Sequence, residues 1–242
     1  MKKLLKSVVY CSLLFTTITN AQWHSKNRIK GNGTITSEKR ITADYDEIKI
    51  AGFFDVELVS GKEGNITIQG EENLIQYIKT ETEKGVLKVF TEKNINISTN
   101  KKMLITIPFE NINAVSLSGS GDVSTKNTIK TNQFKTKLAG SGDLTLSVDA
   151  NEIQADLNGS GDLVLKGNTE SLITKLVGSG DIDTAELKAQ NTDVSVTGSG
   201  DATVYCSSNL KARVSGSGDI NYKGNPKTKD TKVMGSGDIT QK

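Results

Sequence analysis

At 242 residues the chain has room for one elongated domain or two small ones. Hydrophobic residues make up 35% and aromatics 5%, too lean for one thick globular core, and 23 glycines against 2 prolines exclude a Pro-rich linker. Lys and Arg total 30 and Asp and Glu 28, a net charge of +2 with no concentrated basic face, which argues against nucleic acid as a partner.

Residues 1–21 read as a signal peptide. Lys2, Lys3 and Lys6 give the positive start, Val8 to Phe15 the apolar stretch, and Thr19-Asn20-Ala21 a small-x-small cleavage site. The apolar run is too short to span a bilayer, so the mature chain is expected to start near Gln22, without a transmembrane anchor, in the periplasm, at the cell surface or secreted. Cys11 would leave with the signal. Cys206 would then be alone, and no disulfide would staple the fold.

Residues 22–41 form a polar lead-in that carries the single histidine, His24. From 42 to 112 polar and apolar residues alternate in Ile48–Ile50, Val56–Val59, Ile66–Ile68, Leu87–Phe90 and Leu104–Ile107. Gly61, Gly64, Gly70 and Gly85 punctuate these runs. Period-2 alternation of branched residues predicts strands with one buried face. Glu72–Ile78 reads as a short helical turn with Leu74 and Ile78 on one face. This half is expected to form irregular leading coils that also cap the stack.

Residues 113–242 are a repeat. Gly-Ser-Gly-Asp occurs at 119–122, 140–143, 159–162, 178–181, 198–201, 216–219 and 235–238, in steps of 21, 19, 19, 20, 18 and 19 residues. Two residues before each motif stand Leu117, Leu138, Leu157, Leu176, Val196, Val214 and Val233. Directly after each Asp stand Val123, Leu144, Leu163, Ile182, Ala202, Ile220 and Ile239. A unit near 19 residues is too short for a propeller blade, which takes about 40, and the alternation excludes helical repeats. It fits one turn of a parallel β-helix, with coils stacked about 4.8 Å apart. The fold class is therefore all-β: a single-chain β-solenoid of about seven Gly-Ser-Gly-Asp coils behind an irregular β half. Glycine gives the corner positive φ and room beneath the next coil, and Ser and Asp offer bonds to amides that the corner leaves unpaired. Cys206 shares the inward parity of Ala202 and Val204, which makes it a core residue.

Chemistry is sparse. With His24 the one histidine there is no His-based triad and no His metal cluster, and Cys206 points inward. No catalytic residue and no cofactor is assigned. In register, Asp122, Asp143, Asp162, Asp181, Asp201, Asp219 and Asp238 form a column. At about 4.8 Å each neighbouring pair repels by about 0.9 kcal/mol in water. A carboxylate column suits Ca²⁺, but the calcium-binding nonapeptide repeat returns every nine residues, so a structural corner is the stronger reading. A β-helix polysaccharide lyase or hydrolase is the competing reading. It needs clustered acids and a basic residue, whereas Arg213 is the one arginine of the repeats, Asp149, Glu152, Asp156 and Asp193 do not recur in register, and the aromatics are few: Phe134, Tyr205 and Tyr222.

The exported N-terminus, Tyr45-Asp46-Glu47-Ile48, Phe54-Asp55-Val56-Glu57-Leu58, Gly70-Glu71-Glu72-Asn73-Leu74 and the motif array together resemble the head GIN domain family of auto-transporter adhesins, common among exported proteins of Bacteroidota. The resemblance covers residues 42–242. It implies a parallel β-helix and supplies no catalytic residues. The expected function is a non-catalytic binding, adhesin-like or scaffold module whose partner is a cell-envelope glycan or protein, with self-association through a solenoid end or edge.

Overall fold

The structure, a computed structural model, describes residues 28–242; the signal segment, Cys11 and His24 lie outside the described residues. The first half contributes β1 (Arg28–Lys30), β2 (Ile35–Ile41), β3 (Glu47–Gly52), β4 (Asp55–Ser60), β5 (Asn65–Glu71), α1 (Glu72–Ile75), β6 (Ile78–Glu83), β7 (Val86–Thr91), β8 (Asn96–Ser98) and β9 (Leu104–Phe109). The alternating runs are all strands. The helical turn is one short helix, with Leu74 and Ile75 buried on its inner side and Ile78 opening β6.

The repeat half continues with β10 (Ala114–Gly119), β11 (Val123–Thr125), β12 (Ile129–Gly140), β13 (Leu144–Gly159), β14 (Leu163–Gly178), β15 (Ile182–Gly198), β16 (Ala202–Tyr205), β17 (Asn209–Gly216), β18 (Ile220–Lys223), β19 (Thr228–Gly235) and β20 (Ile239–Gln241). Every pairing among them is parallel, and the coils stay in register apart from one shift between Val164 and Lys166, so the chain is a β-solenoid. Leu117, Leu138, Leu157, Leu176, Val196, Val214 and Val233 stand one above another, as do the seven residues that follow the Asp positions. In β13 the buried positions run Leu144, Leu146, Val148, Ala150 and then Ile153, Ala155, Leu157. The parity slips by one at Asn151–Glu152. Each coil thus has two faces of alternating residues and two corners, one at Gly-Ser-Gly-Asp and one opposite it. Cys206 is fully buried, as its parity requires.

The leading half does not simply precede the stack. β3 and β4 form a coil that lies between two others: β10 and β11 pair with them on one side, β7 and β9 on the other, all parallel. The chain therefore lays down β3 and β4, runs outward to build the end, and returns at β10 to grow the other way. Beyond β7 and β9 the pairing turns antiparallel: β6 on β7, β5 on β9, and β2 on β5. Arg40 on β2 donates to the carbonyls of Ile75 and Ile78, locking α1 across the end of the lumen. A separate pair, β1 with β8, flanks this cap.

Candidate functional site

The rod has two edges, and their chemistry differs. The Gly-Ser-Gly-Asp edge is closed by main-chain packing. The first glycine of each motif has φ between +126° and +143°, and a Cβ on either glycine would lie 1.9–2.2 Å from a carbonyl oxygen of the coil below. No L side chain fits that gap, and the φ is one that glycine alone adopts freely. Each corner also places its amides with care. The Gly119 carbonyl accepts from Ser141 N at 3.0 Å and Gly142 N at 3.1 Å, and the same pair of bonds recurs up the stack.

The amide of each motif Asp donates to the Oδ1 of the Asp one coil below. The bonds are 3.1 Å for Asp143 to Asp122, 3.0 Å for Asp162 to Asp143, 3.2 Å for Asp181 to Asp162, 2.9 Å for Asp201 to Asp181, 2.7 Å for Asp219 to Asp201 and 2.8 Å for Asp238 to Asp219. The seven acids named as Ca²⁺ candidates are thus brought together as a ladder in which each carboxylate below Asp238 satisfies the next coil's orphan amide. Among the described residues no group of three or more His, Cys, Asp or Glu side chains is placed to hold a metal ion.

The ladder has an eighth rung below the repeats. Gly52-Phe53-Phe54-Asp55 aligns under the first motif: Gly119 pairs with Gly52, and Asp122 N donates to Asp55 Oδ1 at 3.1 Å. No corner lies beneath it. The buried Phe54 ring occupies the place that a lower glycine carbonyl would take, 2.4 Å from a Cβ built on Gly52. Lys102 closes the column with its ammonium 2.7 Å from Asp55 Oδ2, and that bond raises the lysine's pKa.

The opposite edge varies from coil to coil. There a shallow trough of about 520 Å³ runs across successive coils. Its floor is small and buried: Ala150, Thr169 and Ala189. Asp149, Asn168, Lys188 and Tyr205 line the trough together with Asn151, Glu170 and Gln190. Asp149 Oδ1 accepts from Asn168 N at 3.1 Å and Asn168 Nδ2 at 2.9 Å, and Asn151 Nδ2 donates to Asn132 Oδ1 at 2.6 Å. Lys188 Nζ sits 4.2 Å from the centre of the Tyr205 ring. A second hollow of about 420 Å³ adjoins across Thr131, lined among others by Glu47, Asn132, Gln133 and Lys135. The trough offers carboxylate, amide and ammonium groups beside an aromatic face, which is hydrogen-bonding and stacking chemistry for a polyhydroxylated ligand.

Of the non-motif acids, Asp149 lines the trough, while Asp193 is tied to Lys211 at 2.7 Å. Phe134 is core rather than surface, Tyr222 is 6% exposed on an inward position, and Tyr205 alone of the three reaches the trough. Glu71, which the sequence offers only within the family-like run Gly70–Leu74 and without a role, is a carboxylate fully excluded from solvent. It accepts from Thr99 Oγ1 at 2.7 Å, Gly33 N at 2.7 Å and Asn100 N at 2.9 Å. The Thr99 hydroxyl leads in holding its pKa below the ordinary carboxylate range, helped by those amides and opposed by burial. Glu71 thereby ties the segment before β2 to the loop after β8.

Stacked two-cornered coils with a capped end define the class as a single-chain β-solenoid. The chain belongs to the family described as "Putative auto-transporter adhesin, head GIN domain", whose model matches residues 44–226. A "putative adhesin" from Bacteroides fragilis superposes with a TM-score of 0.83 at 24% identity, over 88% of this chain and 100% of that one. A "putative adhesin" from Parabacteroides distasonis gives 0.72 at 26%, over 89% and 100%. A "putative lipid binding protein" from the same species gives 0.73 at 25%, over 89% and 99%. No curated protein matches the chain. Among the described residues no helix is long and apolar enough to cross a membrane.

Proposed function

We propose that the protein is a non-catalytic binding module of the adhesin type that works outside the cytoplasm and holds a cell-envelope glycan in the Tyr205 trough. The observation that carries this is the contrast between the edges. The motif edge is sealed by backbone, whereas the opposite edge gathers Asp149, Asn151, Asn168, Glu170, Lys188, Gln190 and Tyr205 around one hollow. Amphipathic aromatics with convergent polar groups on a rigid scaffold are what a ligand site needs. The family description agrees with it, and the charged start and apolar stretch of residues 1–21 supply the route out of the cytoplasm.

Two other readings have an observation behind them. Asp149 and Glu170 bring two carboxylates to the same trough, as a glycosidase would require, though the described residues contain no histidine and the family carries no enzyme class. The lipid binding named for one structural neighbour would call for an apolar hollow, and both hollows here are lined largely by polar side chains. The test is a glycan array followed by calorimetry with residues 22–242. Tyr205→Ala should weaken binding about tenfold or more without shifting the unfolding midpoint, and Asp149→Ala should weaken it as much while also costing about 1 kcal/mol through the Asn168 amide it leaves without its acceptor. Binding that ignores both substitutions removes the trough from the account, and turnover of the bound glycan replaces the module with an enzyme.

A further inference from the structure

The two ends of the stack are finished differently. At one end β5, α1 and β6 fold over the lumen with Leu74 and Ile75 buried beneath. At the other, among the described residues, β19 and β20 pair on one side only, with β17 and β18, and all eight residues of β19 are exposed. The inward columns register the change. Val214 is 1% exposed, whereas Val233, the next member of its column, is 40% exposed, and Met234 beside it is 54% exposed. Unpaired main-chain groups next to bare apolar side chains form an edge that accepts another strand.

β19 also carries its own complement. Lys229, Thr231 and Val233 are in register with buried Leu210, Ala212 and Val214, so they face the lumen, and Asp230 and Lys232 face out. A two-fold axis normal to the strand pairs same-face residues. Centred on Thr231, it sets Asp230 opposite Lys232 of a second copy and Lys232 opposite Asp230, with Val233 against the methylenes of Lys229. The Lys229 ammonium is turned aside, 3.4 Å from the Tyr222 hydroxyl, which leaves its stem over the lumen. Arg213 pairs with Asp230 and fixes the carboxylate in place. The edge strand β2, which is also largely exposed, lacks this property: the same symmetry about its centre would set Glu38 against Glu38.

We propose that the last coil is a self-association surface through which two copies join end to end by antiparallel pairing of β19. The contact is isologous. It consumes both open ends and leaves two capped ends outward, so assembly closes at two copies instead of growing a filament. The trough lies along the side of the rod, and both copies present it.

Sedimentation equilibrium of residues 22–242 should show a monomer–dimer equilibrium, and Lys232→Glu should weaken it about tenfold while the unfolding midpoint stays put. Opposed residues of antiparallel strands have Cα atoms about 4.5–5.5 Å apart, within disulfide reach. In residues 22–242, where the one native thiol is the buried Cys206, Thr231→Cys should therefore oxidise to a covalent dimer and Ser37→Cys in β2 should not. A chain that stays monomeric at millimolar concentration overturns the proposal. So does a dimer indifferent to Lys232→Glu, a cross-link through Ser37→Cys in place of Thr231→Cys, or a last coil occupied only by a different protein.

Discussion

Adding one methyl group at a corner in mid-stack should unfasten the coils on either side. In Gly159→Ala the new Cβ falls 2.1 Å from the Gly140 carbonyl oxygen, at a φ of +143°. That oxygen cannot retreat, because β12 is held between β10 and β13. The backbone at 159 must change instead, at a strain of about 1–3 kcal/mol. The Ser160 and Gly161 amides, 2.9 and 3.2 Å from the same oxygen, are pulled away, at about 1 kcal/mol each. The total is about 3–5 kcal/mol, a large part of the roughly 5–15 kcal/mol that holds a domain folded. Gly235→Ala creates the same clash, 1.9 Å from the Gly216 oxygen, but in the exposed last coil. That coil can fray alone, so global stability should fall by less than about 1 kcal/mol. Urea unfolding followed by circular dichroism measures both losses, and hydrogen exchange localises the fraying to β19 and β20. Equal losses at the two positions, or a Gly159→Ala protein within about 1 kcal/mol of the parent, would falsify the corner account.

The Asp ladder makes a distinction between its amide and its charge. Asp181→Ala removes the acceptor for the Asp201 amide and should cost about 1 kcal/mol in denaturant, while Asp181→Asn keeps an acceptor oxygen and should cost less than about 0.5 kcal/mol. With its Oδ1 atoms already engaged, the column should show the same melting midpoint in calcium as in chelator; a rise with calcium reinstates the metal ladder. Glu71 has a lowered pKa, so its contribution to stability is complete above its ordinary value of 4.5 and is lost as the pH falls through the folded pKa. Protection of amides near Gly33 and Asn100, relative to their intrinsic exchange at each pH, should fall as the pH is lowered beneath 4.5, and Glu71→Gln should flatten that dependence; an unchanged pH profile in the variant refutes the tie. Cys206, fully buried, should resist alkylation until the protein unfolds, and fast labelling of the native chain would contradict its place in the core.

How much could be read in advance depends on the range of each feature's causes. The coil period and the inward columns rest on local alternation, so Leu117 to Val233 could be placed before any coordinates. The corner of Gly52 to Asp55 was harder because Phe53 and Phe54 stand where the repeats have Ser and Gly; its glycine and aspartate at the right separation were the only trace. The order of strands in the cap was not legible. Nothing in Glu47–Ser60 says that its outer neighbour comes from 86–109 and its inner one from 114–125, because both neighbours offer the same alternation. The trough was hidden for a related reason. Lys188 meets Tyr205 because unequal coil lengths and the register shift between Val164 and Lys166 alter the alignment at the second corner, a tertiary consequence of small length changes. The role of Glu71 is not legible in the Gly70–Leu74 run, since its partners come from residues 33, 99 and 100, on two separate loops.

The return of the chain at β10 has a kinetic side. The coil of β3 and β4 is the earliest of the stack to be synthesised, but its two neighbours arrive only with β7 to β11, about 40 to 70 residues later. A threading chain must therefore wait until about Thr125 has emerged before its first solid platform exists. After that, each further 19 or so residues finds a ready template and can dock as it appears, so the slow step sits at the start and the remainder proceeds like the elongation of a polymer from a seed.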